Sequence, residues 1–298
     1  MTQLPPTVDL REVGPRDGLQ AEAPVPIEAR VRLIEALVAA GVAHVEMVSF
    51  VSPKAVPSMA GAAEVVAAVG PLPGVVRTAL VPNLKGAELA LDAGVDELSV
   101  TIAASAVYNE RNVRMTIDES MAAIDSIVAL AQPASVPVDA VLSCAFGSPY
   151  EGDIDPATVA SLGRRLLDGG SATLALADTT GMATPRRIDE VLAETGPDVG
   201  LHLHETRGTG LVNLYAGLLA GVDRFDCSVG GLGGSPFAAG AAGNVATEDV
   251  VALLDDLGIE TGIDLDALLG ASALVAEIVC HDVPSRIAHT GPRSRLAS

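Results

Sequence analysis

Two histidines one residue apart, His202-Leu203-His204, are the pair in this sequence best suited to hold a metal ion. On a β-strand, side chains two apart face the same way, so both imidazoles would enter one site. Two neutral nitrogens leave an open-sided site that wants a carboxylate, and Asp17 can supply it if the fold brings its segment alongside. Asn244 can add an amide oxygen. A mixed nitrogen and oxygen shell with positions left for substrate suits Mg²⁺, Mn²⁺ or a related hard to borderline cation. Arg16 stands next to Asp17 as a fixed cation beside a metal ligand. Such a cation can stabilise an enolate oxygen while the metal polarises a hydroxyl or carbonyl oxygen. Those are the two charges that develop when a carbon–carbon bond beside a carbonyl is made or broken, so the pairing favours carbanion chemistry over hydrolysis.

Each of these residues also has a plainer reading. One histidine can be buried and hydrogen-bonded while the other is solvated. Asn244 can be a cap ahead of Thr247-Glu248-Asp249. Asp178-Thr179-Thr180-Gly181 can be turn chemistry. Arg16 can belong to a structural ion pair with Glu12, Glu46 or Asp17. Position in the fold separates the readings.

Eight short β-branched runs alternate with longer amphipathic or alanine-rich stretches. The runs are Val8–Val13, Val45–Phe50, Val75–Val81, Leu98–Ala103, Val138–Phe146, Thr173–Asp178, Val199–Thr206 and Arg224–Val229. Between them the pattern predicts helices around 28–40, 59–69, 85–93, 117–131, 156–168, 185–195, 209–220 and 248–257. Eight such units predict an α/β fold, a (β/α)8 TIM barrel, with an additional C-terminal helix from about Asp264 to Val279 and a short polar, mobile tail from Pro284. A doubly wound open sheet would carry a glycine-rich phosphate turn after its first strand, and Gly14-Pro15-Arg16-Asp17-Gly18 is charged instead. No change of composition marks a second domain within residues 1–298.

A barrel places chemistry where its strands end, and the polar residues fall there. Arg16-Asp17 follow the first strand, Glu46 lies in the second and Asp178 ends the sixth. His202 and His204 lie in the seventh, and Gly230–Asn244 follows the eighth. In a closed barrel the first strand neighbours the eighth, so Asp17 stands two strands from the histidines.

Composition removes other classes. With 49% hydrophobic and 2% aromatic residues, the core is built mainly from Val, Leu, Ile and Ala. The 18 basic residues against 38 acidic ones give a formal charge of −20, which argues against nucleic acid or an anionic membrane as partner. Residues 1–6 lack the basic and apolar regions of a signal peptide, and the apolar runs are broken well short of a membrane span, so a cytoplasmic protein is expected. Cys144, Cys227 and Cys280 are odd in number and widely spaced, which predicts three reduced, mostly buried thiols.

Read together, Val13-Gly-Pro-Arg-Asp-Gly-Leu-Gln20, Glu46 with Ser49-Phe-Val-Ser-Pro-Lys54, Ser148-Pro-Tyr-Glu-Gly152, Asp178-Thr179, His202-Leu-His204 and Gly230-Gly-Leu-Gly-Gly-Ser-Pro-Phe237 followed by Gly243-Asn-Val-Ala-Thr-Glu-Asp249 closely resemble the hydroxymethylglutaryl-CoA lyase family. The resemblance runs from about residue 8 to residue 280. It implies Asp17, His202, His204 and Asn244 as ligands of Mg²⁺ or Mn²⁺, Arg16 as the enolate-stabilising cation, and Gln20, Glu46 and Asp178 as supporting or acid/base groups. The implied reaction is cleavage of a 3-hydroxy-3-methylglutaryl-CoA-like thioester to acetyl-CoA and a keto acid. Similar enzymes suggest a homodimer.

The sequence departs from the family's pattern in two places. Ser235 stands where the family's glycine-rich loop usually has a proton-transferring Cys, and Ser148 likewise replaces Cys in the related Cys-Pro-Tyr-Glu-Gly. An alcohol is a far weaker acid than a thiol, whose reference pKa is about 8.5, so Ser235 needs an activating neighbour or a water relay. Ala21-Glu22-Ala23 replaces the usual Asn-Glu-Lys, which removes a lysine from the CoA grip. These departures leave room for a related lyase or aldolase acting on another branched 3-hydroxyacyl-CoA or a 4-hydroxy-2-oxo acid, or for an inactive metal-binding paralogue.

Overall fold

The apolar runs become strands because helices cover them from outside while side chains fill the ring within, so each strand is buried on both faces. The computed structural model describes residues 4–234 and 243–293. Eight parallel strands form the ring: β1 (Asp9–Glu12), β2 (His44–Ser49), β3 (Val76–Leu80), β4 (Glu97–Ala103), β5 (Val138–Ser143), β6 (Thr173–Ala177), β7 (Gly200–His202) and β8 (Arg224–Cys227). They pair in chain order, and β8 closes the barrel on β1.

The covering helices are α1 (Ile27–Ala39), α2 (Ala62–Val69), α3 (Leu84–Ala93), α4 (Ala106–Val113), α5 (Ile117–Ala131), α6 (Pro156–Asp168), α7 (Pro185–Thr195), α8 (Gly210–Ala220), α9 (Thr247–Leu257), α10 (Leu265–Val279) and α11 (Arg286–Thr290). Their ends follow local chemistry. Asn83, Ser105, Asp155, Thr184 and Asp264 accept a backbone N–H of the first turn, and Thr116 with Glu119 forms a reciprocal capping box. Leu33, Ile34, Leu37, Val65, Leu98, Leu142, Val191 and Phe225 are among the buried side chains between helices and ring. No helix among the described residues is long and apolar enough to cross a membrane.

Several expectations need correction. Strand β5 ends at Ser143 rather than Phe146, because Cys144 adopts a left-handed φ of 55° that no strand continues through. Strand β7 ends at His202, and His204 lies beyond it in an isolated antiparallel bridge to Asn244. The segment expected as one helix over 59–69 starts at Ala62, since Gly61 at φ 79° breaks it from the short turn Pro57–Met59. Helix α4 was not expected from the sequence pattern, being short and only weakly apolar. The stretch from Pro284, expected as a mobile tail, carries α11: Ser285 caps it and donates to Asp249 Oδ1 at 2.7 Å, while Ile287 N–H donates to the same oxygen at 2.9 Å. Among the described residues all three cysteines are unpaired, two buried as expected and Cys280 exposed.

Candidate metal centre and active site at the barrel mouth

The segment after β1 turns abruptly, in a wide π-helical turn over Gly14–Gly18 whose Val13 carbonyl accepts from the N–H groups of Arg16, Asp17 and Gly18. Glycine is required at both ends of that turn by close approach. A Cβ on Gly14 would stand 2.6 Å from Glu12 Oε1, and one on Gly18 would stand 2.8 Å from Ser228 Oγ. Glu12, fully buried, braces the turn: Oε1 accepts from Gly14 N at 2.7 Å and Val229 N at 2.9 Å, and Oε2 accepts from Thr247 Oγ1 at 2.6 Å. Burial pushes its carboxyl up to about 7, against the pull of these donors.

Glu12 therefore gives a stability prediction. Because the folded value of about 7 lies above the ordinary 4.5, the unfolded chain ionises first as pH rises. Its contribution to unfolding free energy is complete below 4.5 and is lost as pH climbs through about 7. Glu12→Gln should flatten the pH dependence in that window by about 1.4 kcal/mol per pH unit, read by urea unfolding at successive pH values. Glu12→Ala should cost roughly 2–6 kcal/mol below pH 4.5, where the parent's contribution is complete, because two buried backbone donors lose their acceptor.

The turn aims Arg16 and Asp17 into the mouth. Arg16 Nε donates to Glu46 Oε2 at 2.6 Å and Nη1 to Asp17 Oδ1 at 2.7 Å. Burial opposes the charge on Arg16, but Glu46 and Asp17 more than offset it and hold the guanidinium above its ordinary range. Glu46 is 1% exposed, and burial lifts its carboxyl above the usual range despite Arg16. Asp17 moves the other way: burial would raise it, and Arg16 with His202 holds it low, hence ionised.

His202 and His204 face each other with their Nε2 atoms 3.1 Å apart. Burial, and next the neighbouring His202, push His204 down to about 3, so its imidazole is neutral, the form that binds a metal. One ligand atom from each of Asp17, His202 and His204 lies within 4.8 Å of the others. Asn244 closes the group from the loop after β8: its Nδ2 donates to Asp17 Oδ2 at 2.8 Å and to the Leu232 carbonyl at 3.0 Å. Its Oδ1 and His204 Nδ1 are buried without a hydrogen-bond partner among the described residues. A carboxylate, two imidazole nitrogens meeting at close range and an orphaned amide oxygen fit a divalent cation. The solvated-histidine reading fails, since both rings are buried, and Asn244 is not the helix cap, which is Ala246.

The remaining expected residues are distributed around this centre. Arg16, Asp17, Gln20, Ser49, His202 and Gly234 line a cavity of about 490 Å³ in the mouth. Asp178 lies just behind the wall formed by its neighbours Ala177 and Thr179. It is 1% exposed; Oδ1 accepts from Ala183 N at 2.9 Å, which is the turn role, but Oδ2 has no partner among the described residues. Burial pushes this carboxyl up to about 7. Ser235 lies outside the described residues.

Sequence reasoning missed Arg11 and Asp226, which line the lower part of the same cavity. Register brings them together, since Asp226 is the partner of Arg11 across β1–β8 and of His202 across β7–β8. The available signal was a buried charge of opposite sign within each of two barrel strands, Arg11 in Asp9–Glu12 and Asp226 in Arg224–Cys227, because a charge at such a position must find a partner.

Comparison with known proteins gives a consistent result. The family model described as HMGL-like matches residues 7–275. The chain is 45% identical to the 3-hydroxy-3-isohexenylglutaryl-CoA/hydroxy-methylglutaryl-CoA lyase of Pseudomonas aeruginosa, over 96% of this chain and 97% of that protein. It is 40% identical to the mitochondrial hydroxymethylglutaryl-CoA lyase of Gallus gallus, over 97% and 99% of the two chains. An HMG-CoA lyase from Acinetobacter baumannii, solved in complex with coenzyme A and 3-methylmalate, superposes with a TM-score of 0.93 at 40% identity, covering 100% of this chain and 99% of the other.

Proposed function

The chain belongs to the HMGL-like family and is a carbon–carbon lyase, and from that premise we propose that it cleaves 3-hydroxy-3-methylglutaryl-CoA to acetyl-CoA and acetoacetate. The observation that carries this reading is the meeting of Arg16, Asp17, His202, His204 and Asn244 at one end of the barrel. Asp17, His202, His204 and Asn244 would hold Mg²⁺ or Mn²⁺. When bound, the ion supplies Lewis acidity that polarises the substrate's tertiary hydroxyl.

The chain's own residues account for the rest of the chemistry. The hydroxyl proton leaves to a base, its electron pair forms the ketone, the carbon–carbon bond breaks, and its electrons become the enolate of the thioester. Arg16 holds that enolate oxygen, its charge kept in place by Glu46 and Asp17. The enolate carbon then takes up a proton, so the reaction balances without a co-reactant. Asp178, with Oδ2 unpartnered among the described residues and a carboxyl at about 7, is a group beside the site able to exchange a proton near neutral pH. Gln20 orients substrate from the cavity wall. Ser235, chemically too weak an acid to copy a thiol, positions a water. On that account Ser235→Cys raises kcat at least tenfold, a barrier change of about 1.4 kcal/mol. An equal or lower kcat in the Cys variant would remove Ser235 from proton delivery.

A second substrate reading keeps the chemistry and lengthens the branch at C3. It is supported by the apolar wall of the cavity, including Val51, Val56, Leu80, Val113 and Ile124. It is also supported by the Pseudomonas relative, whose name covers isohexenylglutaryl-CoA as well. The unpaired thiols are those of a reducing compartment, and we place the enzyme in the cytoplasm. The deciding experiment is a panel of 3-hydroxyacyl-CoA esters and 4-hydroxy-2-oxo acids incubated with Mg²⁺ or Mn²⁺, with products identified by mass spectrometry. Acetyl-CoA and a keto acid from 3-hydroxy-3-methylglutaryl-CoA, abolished by chelation, is the expected result. Pyruvate from a hydroxy-oxo acid, with no thioester cleaved, would overturn it.

A further inference from the structure

Beneath the proposed metal position the barrel floor is charged. Arg11 and Asp226 are each 7% exposed. Arg11 grips Asp226 with two parallel hydrogen bonds, Nε to Oδ1 at 2.9 Å and Nη2 to Oδ2 at 2.8 Å, and its Nη1 donates to Asp139 Oδ2 at 2.6 Å. Such a fork matches the plane of the carboxylate and fixes its orientation as well as its charge. Asp226 Oδ2 lies 3.1 Å from His202 Nδ1. An ionised carboxylate can only accept, so His202 carries a hydrogen on Nδ1 and donates it to Asp226, which leaves Nε2, 3.1 Å from His204 Nε2, as the ring nitrogen turned to the proposed metal position. His204 has no matching hold, its Nδ1 being buried without a partner among the described residues. The two histidines are therefore inequivalent.

We propose that Asp226, clamped by Arg11, is a positioning residue that fixes His202 in the Nδ1–H tautomer with Nε2 turned to the metal, so that the barrel floor sets metal affinity. The proposal rests on the metal reading of the site given above. A carboxylate behind a ligating histidine orients the ring and increases its basicity, and loss of such a partner typically weakens metal binding by about 10–100-fold. In Asp226→Asn the amide offers one acceptor and one donor in nearly the same volume. Nδ1 is then no longer held to one protonation, and the Nε2–H tautomer becomes populated. Asp139→Asn is the matched control, because it removes a carboxylate from the other side of Arg11 without touching His202.

The test measures Mn²⁺ affinity by calorimetry on the three proteins, with histidine tautomers read by ¹⁵N NMR in the metal-free state. Asp226→Asn should bind Mn²⁺ about 10–100-fold more weakly and show Nε2–H signal for His202, while Asp139→Asn stays within about threefold of the parent. Equal weakening in both variants would reduce Asp226 to a general structural charge and overturn the proposal. So would an unchanged affinity in Asp226→Asn with His202 still wholly Nδ1–H. Failure of the parent protein to bind Mn²⁺ would overturn the metal reading, and this proposal with it.

Discussion

Arg16→Met is expected to lower kcat by about a hundredfold or more and, in the same protein, to lower the melting temperature. A fixed donor placed where charge develops is typically worth that factor in rate. The stability loss has a separate origin in Glu46, which is 1% exposed and receives hydrogen bonds from Arg16. Removing one partner of a buried ion pair typically costs about 3–5 kcal/mol, until the stranded carboxyl neutralises itself by taking up a proton. The two effects separate in the double variant Arg16→Met with Glu46→Gln, where the charge on Glu46 is no longer stranded and Asp17 keeps its hydrogen bond from Asn244. That protein should recover most of the lost melting temperature and none of the lost turnover. Recovery of both together would make Arg16 a structural ion-pair partner and remove the enolate role.

His204→Ala should abolish tight binding of Mg²⁺ and Mn²⁺ while leaving the metal-free protein folded. The His204 ring contacts His202 Nε2, and its own Nδ1 has no partner among the described residues, so truncation strands little. The expected signature is a contrast in thermal shift. A ligand that binds only the folded state stabilises it by about 2.7 kcal/mol at a hundred times its dissociation constant. The parent's melting temperature should therefore rise with Mn²⁺, and that of the variant should not move. An equal rise in both proteins would put the ion elsewhere and dismiss the four-residue centre.

Much of this was legible in the chain because it depends on short-range rules. The alternation of apolar runs with amphipathic stretches carries the barrel, since a strand covered on both faces and a helix covered on one leave different periodicities. Most helices fall within a residue or two of their expected bounds, where Asp, Asn and Thr caps or terminal glycines mark the ends. His202 and His204 share one face by alternation alone, even though the regular strand stops at His202. The short helix α11 was missed because its docking depends on Asp249, 36 residues from its cap Ser285.

What the sequence by itself determined is the barrel, its strand order and the residue types gathered at its C-terminal face, because each follows from local periodicity and the single way such units close. Tertiary structure alone decided which groups carry charge and which way they point. Arg11, Asp226 and His202 come from β1, β8 and β7, and only barrel closure puts them in register. Glu12 and Asp178 are displaced to about 7 and His204 to about 3 because burial withdraws the solvation that would stabilise their charged forms. A residue's type fixes what it can donate or accept; its neighbours across the barrel, hundreds of positions away in the chain, fix which of those states it holds.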